Sequence, residues 1–158
     1  MKYLTLIITV AFLVSCSDDP CLLELQLPVD FNNNVYQSNI STINQYLDAN
    51  DLEAEVTSSG LYYIIEEGGS EDRPELCDQV SVAYSGYLPD GTLFDASQGV
   101  EFPLSNVILG WQEGIPLFGK GGRGTLLIPS YLAYGNNSPS PLIPNNSVLI
   151  FDVELLDF

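Results

Sequence analysis

Apolar residues change their period several times along this chain, and each change predicts an element. Tyr36, Ile40, Ile43 and Leu47 recur at i, i+4, i+7 and i+11, the spacing of a narrow stripe on an amphipathic helix over roughly 35–49, ending before Asp51. After Gly60, Leu61-Tyr62-Tyr63-Ile64-Ile65 is β-branched and aromatic and is closed by Glu66-Glu67-Gly68-Gly69, which predicts a strand. A second strand is expected from Gln79 to Leu88. Pro89-Asp90-Gly91 then turns the chain, with proline suited to the second turn position, and Thr92-Leu93-Phe94-Asp95 returns as the other arm of a hairpin. Trp111, Ile115 and Phe118 stand at i, i+4 and i+7, one stripe of a short helix with Gln112 and Glu113 opposite. Gly124–Ile128 and Ser147–Leu156 predict two more strands. In the last, Leu149, Phe151, Val153 and Leu155 alternate onto one face, as a half-buried antiparallel strand requires. A short helix must bury its stripe, and the flanking strands supply a surface. The pattern therefore predicts a sheet wrapped over one helix, with the large aromatic Trp111 flooring a pocket.

A length of 158 residues with 46% hydrophobic content suits one domain with appended sequence. Four basic against 21 acidic residues leave a net charge of −17, which argues against nucleic acid as a partner. The excess acid reads as a solubilising surface, because no calcium-loop spacing is present. Histidine is absent, which excludes imidazole triads, histidine metal sites and histidine general bases.

The start of the chain carries a targeting signature. Lys2 precedes an apolar run, Leu4–Val14, too short to span a bilayer comfortably but suited to a signal-peptide core. Leu13-Val14-Ser15-Cys16 resembles the lipobox of bacterial lipoproteins. That resemblance implies cleavage before Cys16, diacylation of its thiol, and tethering to a membrane while the domain stays in water. Ser17-Asp18-Asp19 is similar to acidic tether signals on exported lipoproteins, so the expected location is the outer membrane, on its periplasmic face or at the cell surface. The expected organisation is a signal peptide at 1–15, an acidic tether at 16–34, a helical extension at 35–60 and the main domain at 61–158. With Cys16 given to lipid, Cys21 and Cys77 either pair with each other or remain two thiols. A bond between them would close a long loop worth roughly 4 kcal/mol in the chain-entropy picture.

From Leu61 to Phe158 the order of motifs resembles a known family. Val82-Ala83-Tyr84-Ser85-Gly86-Tyr87-Leu88, Asp90-Gly91-Thr92-Leu93-Phe94-Asp95-Ala96-Ser97, Val107-Ile108-Leu109-Gly110-Trp111, Ile128-Pro129, Leu132-Ala133-Tyr134-Gly135 and Leu149-Ile150-Phe151-Asp152-Val153-Glu154-Leu155 are similar to successive blocks of the FKBP-type peptidyl-prolyl cis-trans isomerases. The resemblance implies an α+β fold, a curved antiparallel sheet of five or six strands around a short helix, here with an N-terminal helical extension. It implies isomerisation of Xaa-Pro bonds in unfolded or partly folded exported polypeptides, no cofactor and no metal, and binding of macrolide inhibitors. It also implies the pocket residues. Tyr84, Asp95, Ile108, Trp111 and Tyr134 would be catalytic, and Phe94, Phe102, Val107, Ile143 and Phe151 would bind substrate. In this pattern Trp111 lies under the proline ring, the Ile108 N–H and the Tyr134 hydroxyl donate to substrate carbonyls, and Tyr84 helps hold Asp95.

The chemistry of the residues agrees. Amide rotation faces a barrier of about 18–20 kcal/mol because the planar form is resonance-stabilised, and no covalent bond changes during it. An aromatic, apolar pocket favouring the twisted amide meets that demand without a nucleophile or general base. Taken singly, Trp111, Tyr84 and Tyr134 are ordinary packing residues and Asp95 an ordinary turn residue; their order together carries the site. The chain departs from the family between Asp95 and Phe102, where a short loop, Ala96–Glu101, lacks the arginine that would pair with the aspartate and has Val100 where a rim aromatic is common. The flap Asn136–Pro144 is rich in proline and polar residues rather than glycine. A binding module that keeps the pocket for docking peptides is the rival reading, and a surface adhesin a more distant one. No extended apolar stripe suggests a dimer face, so a monomer is expected.

Overall fold

The computed structural model describes residues 33–158; the expected signal peptide, Cys16, Cys21 and most of the expected tether lie outside the described residues. The chain opens with α1 (Asn34–Asn50), one residue longer at each end than its stripe predicts. Asn33 caps its start by accepting a 2.8 Å hydrogen bond from the Val35 N–H. Its end is set by Asp51, left-handed at φ 54°, whose N–H returns to the carbonyls of Asp48 and Leu47.

Six strands follow: β1 (Glu55–Val56), β2 (Tyr62–Glu67), β3 (Gln79–Tyr87), β4 (Leu93–Pro103), β5 (Arg123–Ile128) and β6 (Leu149–Asp157). They form one antiparallel sheet in the order β1-β2-β5-β6-β3-β4. The expected sheet is therefore present with six strands. The two-residue β1 is too short to leave a period in the sequence. β2 runs on through Glu66 and Glu67, because Glu67 pairs with Arg123 of the adjacent β5 across an irregularity in register; the Arg123 side chain also meets both carboxylates, at 3.4 and 2.8 Å.

Two local expectations are corrected. The stretch 96–101 is strand rather than loop: β4 is 11 residues long and stays paired with β3 across two irregularities in register. The helix bearing the tryptophan, α2 (Leu109–Gly114), stops before Ile115. Pro116 has no N–H to continue it, and the chain tightens into a 3-10 turn at Ile115–Leu117, leaving Phe118 extended. Trp111, Ile115 and Phe118 nonetheless all end up buried.

The core lies between α2 and one face of the sheet, where Val80, Val82, Leu126, Ile128, Leu149, Phe151, Val153 and Leu155 surround Trp111, Ile115 and Phe118. The helix comes very close to β5. A Cβ on Gly110 would stand 2.4 Å from Ile128 Cγ2, and one on Gly114 2.7 Å from Leu126 Cδ1. The opposite face is covered by α1, which buries Ile43 and Leu47 against Leu127, Val148 and Ile150. β6 is thus covered on both faces near its start, so Leu149, Ile150 and Phe151 are all buried where alternation predicts one exposed residue. Cys77 is disulfide-bonded; Cys21, the partner expected for it, lies outside the described residues.

The burial pattern sets a stability test. Phe118 is fully buried and Val56 is 56% exposed. Phe118→Ala should cost about 3–5 kcal/mol in urea unfolding, whereas Val56→Ala should stay within about 0.5 kcal/mol of the parent.

Candidate functional site

Above Trp111, on the sheet side of α2, a cavity of about 310 Å³ is lined by Tyr84, Phe94, Asp95, Val100, Phe102, Asn106, Val107, Ile108, Trp111, Tyr134 and Phe151. Each strand brings its share by alternation. On β3, Val80, Val82, Tyr84 and Gly86 follow at period two, and Gly86 sits opposite Phe151 on β6. β4 needs an irregularity, because Phe94 and Asp95 are neighbours that would ordinarily face opposite sides. Gly86 pairs with Asp95 while Tyr87 pairs with Leu93, so Phe94 is the extra residue of a bulge, and both side chains reach the cavity.

The aromatic rings form a cage. Trp111 meets Tyr84 edge-on with ring centroids 5.1 Å apart at 87°, and Phe151 likewise at 5.1 Å and 83°. Phe94 stands edge-on to Phe151 at 5.5 Å, and Phe102 leans on Trp111 at 5.5 Å. Such edge-to-face pairs contribute roughly 0.5–1.5 kcal/mol each beyond area burial, which makes the cage stiff. Gly86 is required beneath it, since a Cβ there would lie 2.7 Å from Phe94 Cζ and 2.8 Å from Phe151 Cε1. The buried Trp111 Nε1 has no hydrogen-bond partner among the described residues.

The polar groups stand at the rim. Tyr84 donates its hydroxyl to Asp95 Oδ2 at 2.7 Å, and the Ala96 N–H donates to Oδ1 at 3.0 Å. Among the described residues no cation pairs with Asp95. Lys120 is bound to Asp157, Arg123 to Glu66 and Glu67, and Arg73 donates to the carbonyls of Ser70 and Asp72. Burial, then the Asp95 carboxylate, holds the Tyr84 phenol well above the ordinary tyrosine range. Tyr134 is shifted the same way, by burial first and Asp95 second, which sets its hydroxyl within the field of the same carboxylate.

The structure brings together nine of the ten residues assigned to the pocket by resemblance: Tyr84, Phe94, Asp95, Phe102, Val107, Ile108, Trp111, Tyr134 and Phe151 all line the cavity. Ile143 does not; it is buried in the main core. Val100 lies at the rim, at the position where the sequence departs from the aromatic pattern. Three contributors were not legible. Asn106 lines the wall with no motif to mark it. Gly86 matters through contacts across two strands. Gln112, which the helical pattern places on the outer face, turns back and donates from Nε2 to the carbonyls of Ser105 at 3.2 Å and Val107 at 2.8 Å, bracing the approach to Ile108. Three or more clustered metal-ligating side chains do not occur among the described residues.

An antiparallel sheet holding a short helix, with an aromatic cage floored by the helix tryptophan, defines the class of small prolyl-isomerase-like domains. The chain belongs to the FKBP-type peptidyl-prolyl cis-trans isomerase family, whose pattern matches residues 70–156. The FKBP-type peptidyl-prolyl cis-trans isomerase FkpA of Aeromonas hydrophila is 45% identical over 118 residues, covering 71% of this chain and 44% of that protein. The FkpA of Escherichia coli is 44% identical over 113 residues, covering 69% and 42%. The chain thus spans less than half the length of these curated relatives. Among solved structures, the crystal structure of FkpA from Escherichia coli superposes with a TM-score of 0.68 at 41% identity, covering 77% of this chain and 59% of that one. A peptidyl-prolyl cis-trans isomerase from Pseudomonas syringae pv. tomato superposes with a TM-score of 0.66 at 28% identity, covering 76% and 92%. The expected fold is borne out by these neighbours, the N-terminal helix included.

The raised phenols predict a pH dependence. An unfolded chain loses tyrosine protons near pH 10, while the folded chain retains those of Tyr84 and Tyr134. Their contribution to stability is fully present below about pH 10 and is lost as pH rises beyond it. The urea midpoint should be level between about pH 8 and 10 and fall above, and Tyr84→Phe should make that fall shallower.

Proposed function

We propose that this protein is a prolyl isomerase that accelerates rotation about Xaa-Pro bonds in exported polypeptides. The observation that carries the reading is the cage of Trp111, Tyr84, Phe94, Phe102 and Phe151 with Asp95 at its edge. A proline ring entering the cage rests on Trp111 and is walled by Tyr84, Phe94 and Phe151, with Val107 beside them. The Ile108 N–H and the Tyr134 hydroxyl are the donors that orient the flanking carbonyls. Gln112 keeps the Ile108 segment in place.

Rotation needs no proton transfer. A planar amide is polarised by resonance and well solvated by water; at the twisted geometry the resonance is lost and the polarity falls. An apolar, pre-shaped pocket therefore binds the twisted form better than the planar one, which is the condition for acceleration. The Tyr84 hydroxyl fixes Asp95 at the pocket edge, where the carboxylate faces the rotating bond. Shape-matched macrolides would compete for this cavity. The absence of an arginine beside Asp95 leaves a second reading, a module that docks proline peptides without turning them over.

Relaxation of a cis Xaa-Pro peptide separates the two. Acceleration by the chain should drop about tenfold or more in Trp111→Ala and Asp95→Ala, each tenfold being about 1.4 kcal/mol of lost transition-state stabilisation. It should drop by less than about tenfold in Tyr134→Phe, which removes one hydrogen bond worth roughly 1 kcal/mol, with native circular dichroism retained in all three. A folded chain that leaves several Xaa-Pro peptides unaccelerated, yet quenches Trp111 fluorescence on adding them, would overturn catalysis in favour of docking.

The cellular setting is part of the proposal. Lys2, the apolar run Leu4–Val14 and Leu13-Val14-Ser15-Cys16 support a chain anchored by lipid on Cys16 in the outer membrane, a monomer acting on newly exported proteins. Among the described residues no helix is long and apolar enough to cross a membrane. Labelled palmitate should appear on the wild-type chain and be lost in Cys16→Ser; equal labelling of both would remove the anchor from the account.

A further inference from the structure

Tyr134 lies in the connection between β5 and β6, which holds little regular structure beyond a 3-10 turn at Ser130–Leu132. What shapes this connection is a closed ring of hydrogen bonds. The Gly135 N–H donates to the Ser130 carbonyl at 2.8 Å, and the Asn146 N–H donates to the Gly135 carbonyl at 2.6 Å. The ring is completed from outside by Asn39 on α1. Asn39 Oδ1 accepts from the Ser130 N–H at 2.7 Å, and Nδ2 donates to the Asn146 carbonyl at 3.1 Å. One carboxamide thus joins the two ends of the connection, and the residue next to Tyr134 is a member of the ring. Asn146 holds a positive φ of 60°, which a non-glycine residue keeps where its surroundings fix it, while Gly135 at 54° adopts the same region without a side chain to clash.

The packing of α1 gives no reason for an asparagine at this place. Asn39 is only 5% exposed and shares the buried face with Ile43 and Leu47, where an aliphatic residue would be ordinary. A buried carboxamide is tolerated when its groups are paired, and here both its oxygen and its nitrogen are, each to the same connection. A neighbouring contact acts in the same direction: the Tyr36 ring of α1 lies 5.3 Å from that of Tyr131, whose hydroxyl donates to the Ser59 carbonyl.

We propose that Asn39 is a positioning residue for the pocket: from a helix outside the segment matched by the family, its carboxamide closes the Ser130–Gly135–Asn146 ring and so sets the place of the Tyr134 hydroxyl at the cavity. The helical extension is on this account a working part of the site as well as a cover for the sheet. The inference rests on the isomerase reading for its kinetic readout, and amide exchange tests it separately.

The experiment compares Asn39→Ala with Ile43→Ala in the full chain. Ile43 is fully buried on the same helix and belongs to the apolar cluster with Leu127, Val148 and Ile150, and it supplies no group of the ring. Asn39→Ala should lower kcat/KM about tenfold or more, a size that small misplacement of a binding group can produce, and amide exchange should quicken across 130–146 while β3 and β6 stay protected. Ile43→Ala should lower the melting temperature yet keep kcat/KM of the folded chain within about twofold, since it removes packing but no group of the ring. Should Asn39→Ala fail to fold, Asn39→Leu carries the same measurement; it fills the volume of the carboxamide while removing both its acceptor and its donor, and the same loss of kcat/KM is expected. Asn39 variants with wild-type kcat/KM, or with losses that merely track stability as in Ile43→Ala, overturn the proposal. If the wild-type chain accelerates no peptide, the isomerase reading fails, and unchanged exchange across 130–146 in the Asn39 variants would then overturn the positioning role as well.

Discussion

The close seating of α2 on β5 is the constraint from which the rest of the site follows. Gly110 and Gly114 face Ile128 and Leu126 at distances that leave no space for a methyl group. With the helix that near the sheet, Trp111 is held edge-on against Phe151 and Tyr84, and the pocket acquires a floor. A helix pushed outward by a larger residue would carry Trp111 with it and open the cage from below. Gly86 makes the same kind of allowance on the sheet side, letting Phe94 and Phe151 close over β3. The aromatic site is thus built by large rings and by the absence of side chains at three glycines, and the second is as necessary as the first.

The two faces of the sheet divide the work. The α2 face holds the main core and the cavity. The α1 face is a smaller cluster of Ile43, Leu47, Leu127, Val148 and Ile150. Because β6 is covered on both sides near its start, the place where the β5–β6 connection returns to the sheet is anchored in two clusters. That connection carries Tyr134, and the reach of α1 toward the rim of the pocket is through the Asn39 hydrogen bonds to Ser130 and Asn146, although α1 lines none of the cavity. The bulge at Phe94 adds a second rim element on the opposite strand.

Electrostatics is kept away from the floor of the cage. The described cations are spent on exposed pairs with Asp157, Glu66 and Glu67 or on loop carbonyls, contacts that are each worth little. Asp95 is the carboxylate at the cavity, held by Tyr84 and by the backbone; burial first, and this carboxylate second, raise the phenols of Tyr84 and Tyr134 above the ordinary tyrosine range. The result is an apolar chamber with a few oriented polar groups at its edge, suited to a substrate whose polarity decreases during the reaction.

Much of this was legible in the residues. Period two marked Leu149–Leu155 as a strand, Pro89-Asp90-Gly91 marked the hairpin, and period 3.6 found both helices, because burial of one face imposes these spacings wherever the element lies. The ordered motifs named nine residues that do meet at the cavity, since family pockets keep residue types at fixed intervals. What only the tertiary structure decided are relations between segments distant in sequence. Residues 96–101 became strand because β3 offered its edge, and α2 ended at Gly114 where Pro116 and the packing of Phe118 turned the chain. Ile143 went to the core rather than the cavity. Gln112 folded back onto the Val107 carbonyl, and Asn39 reached across 91 residues to Ser130. A local pattern records which face of an element is buried. It carries no record of which atom waits on the other side, because that partner is chosen by the path of the chain in three dimensions.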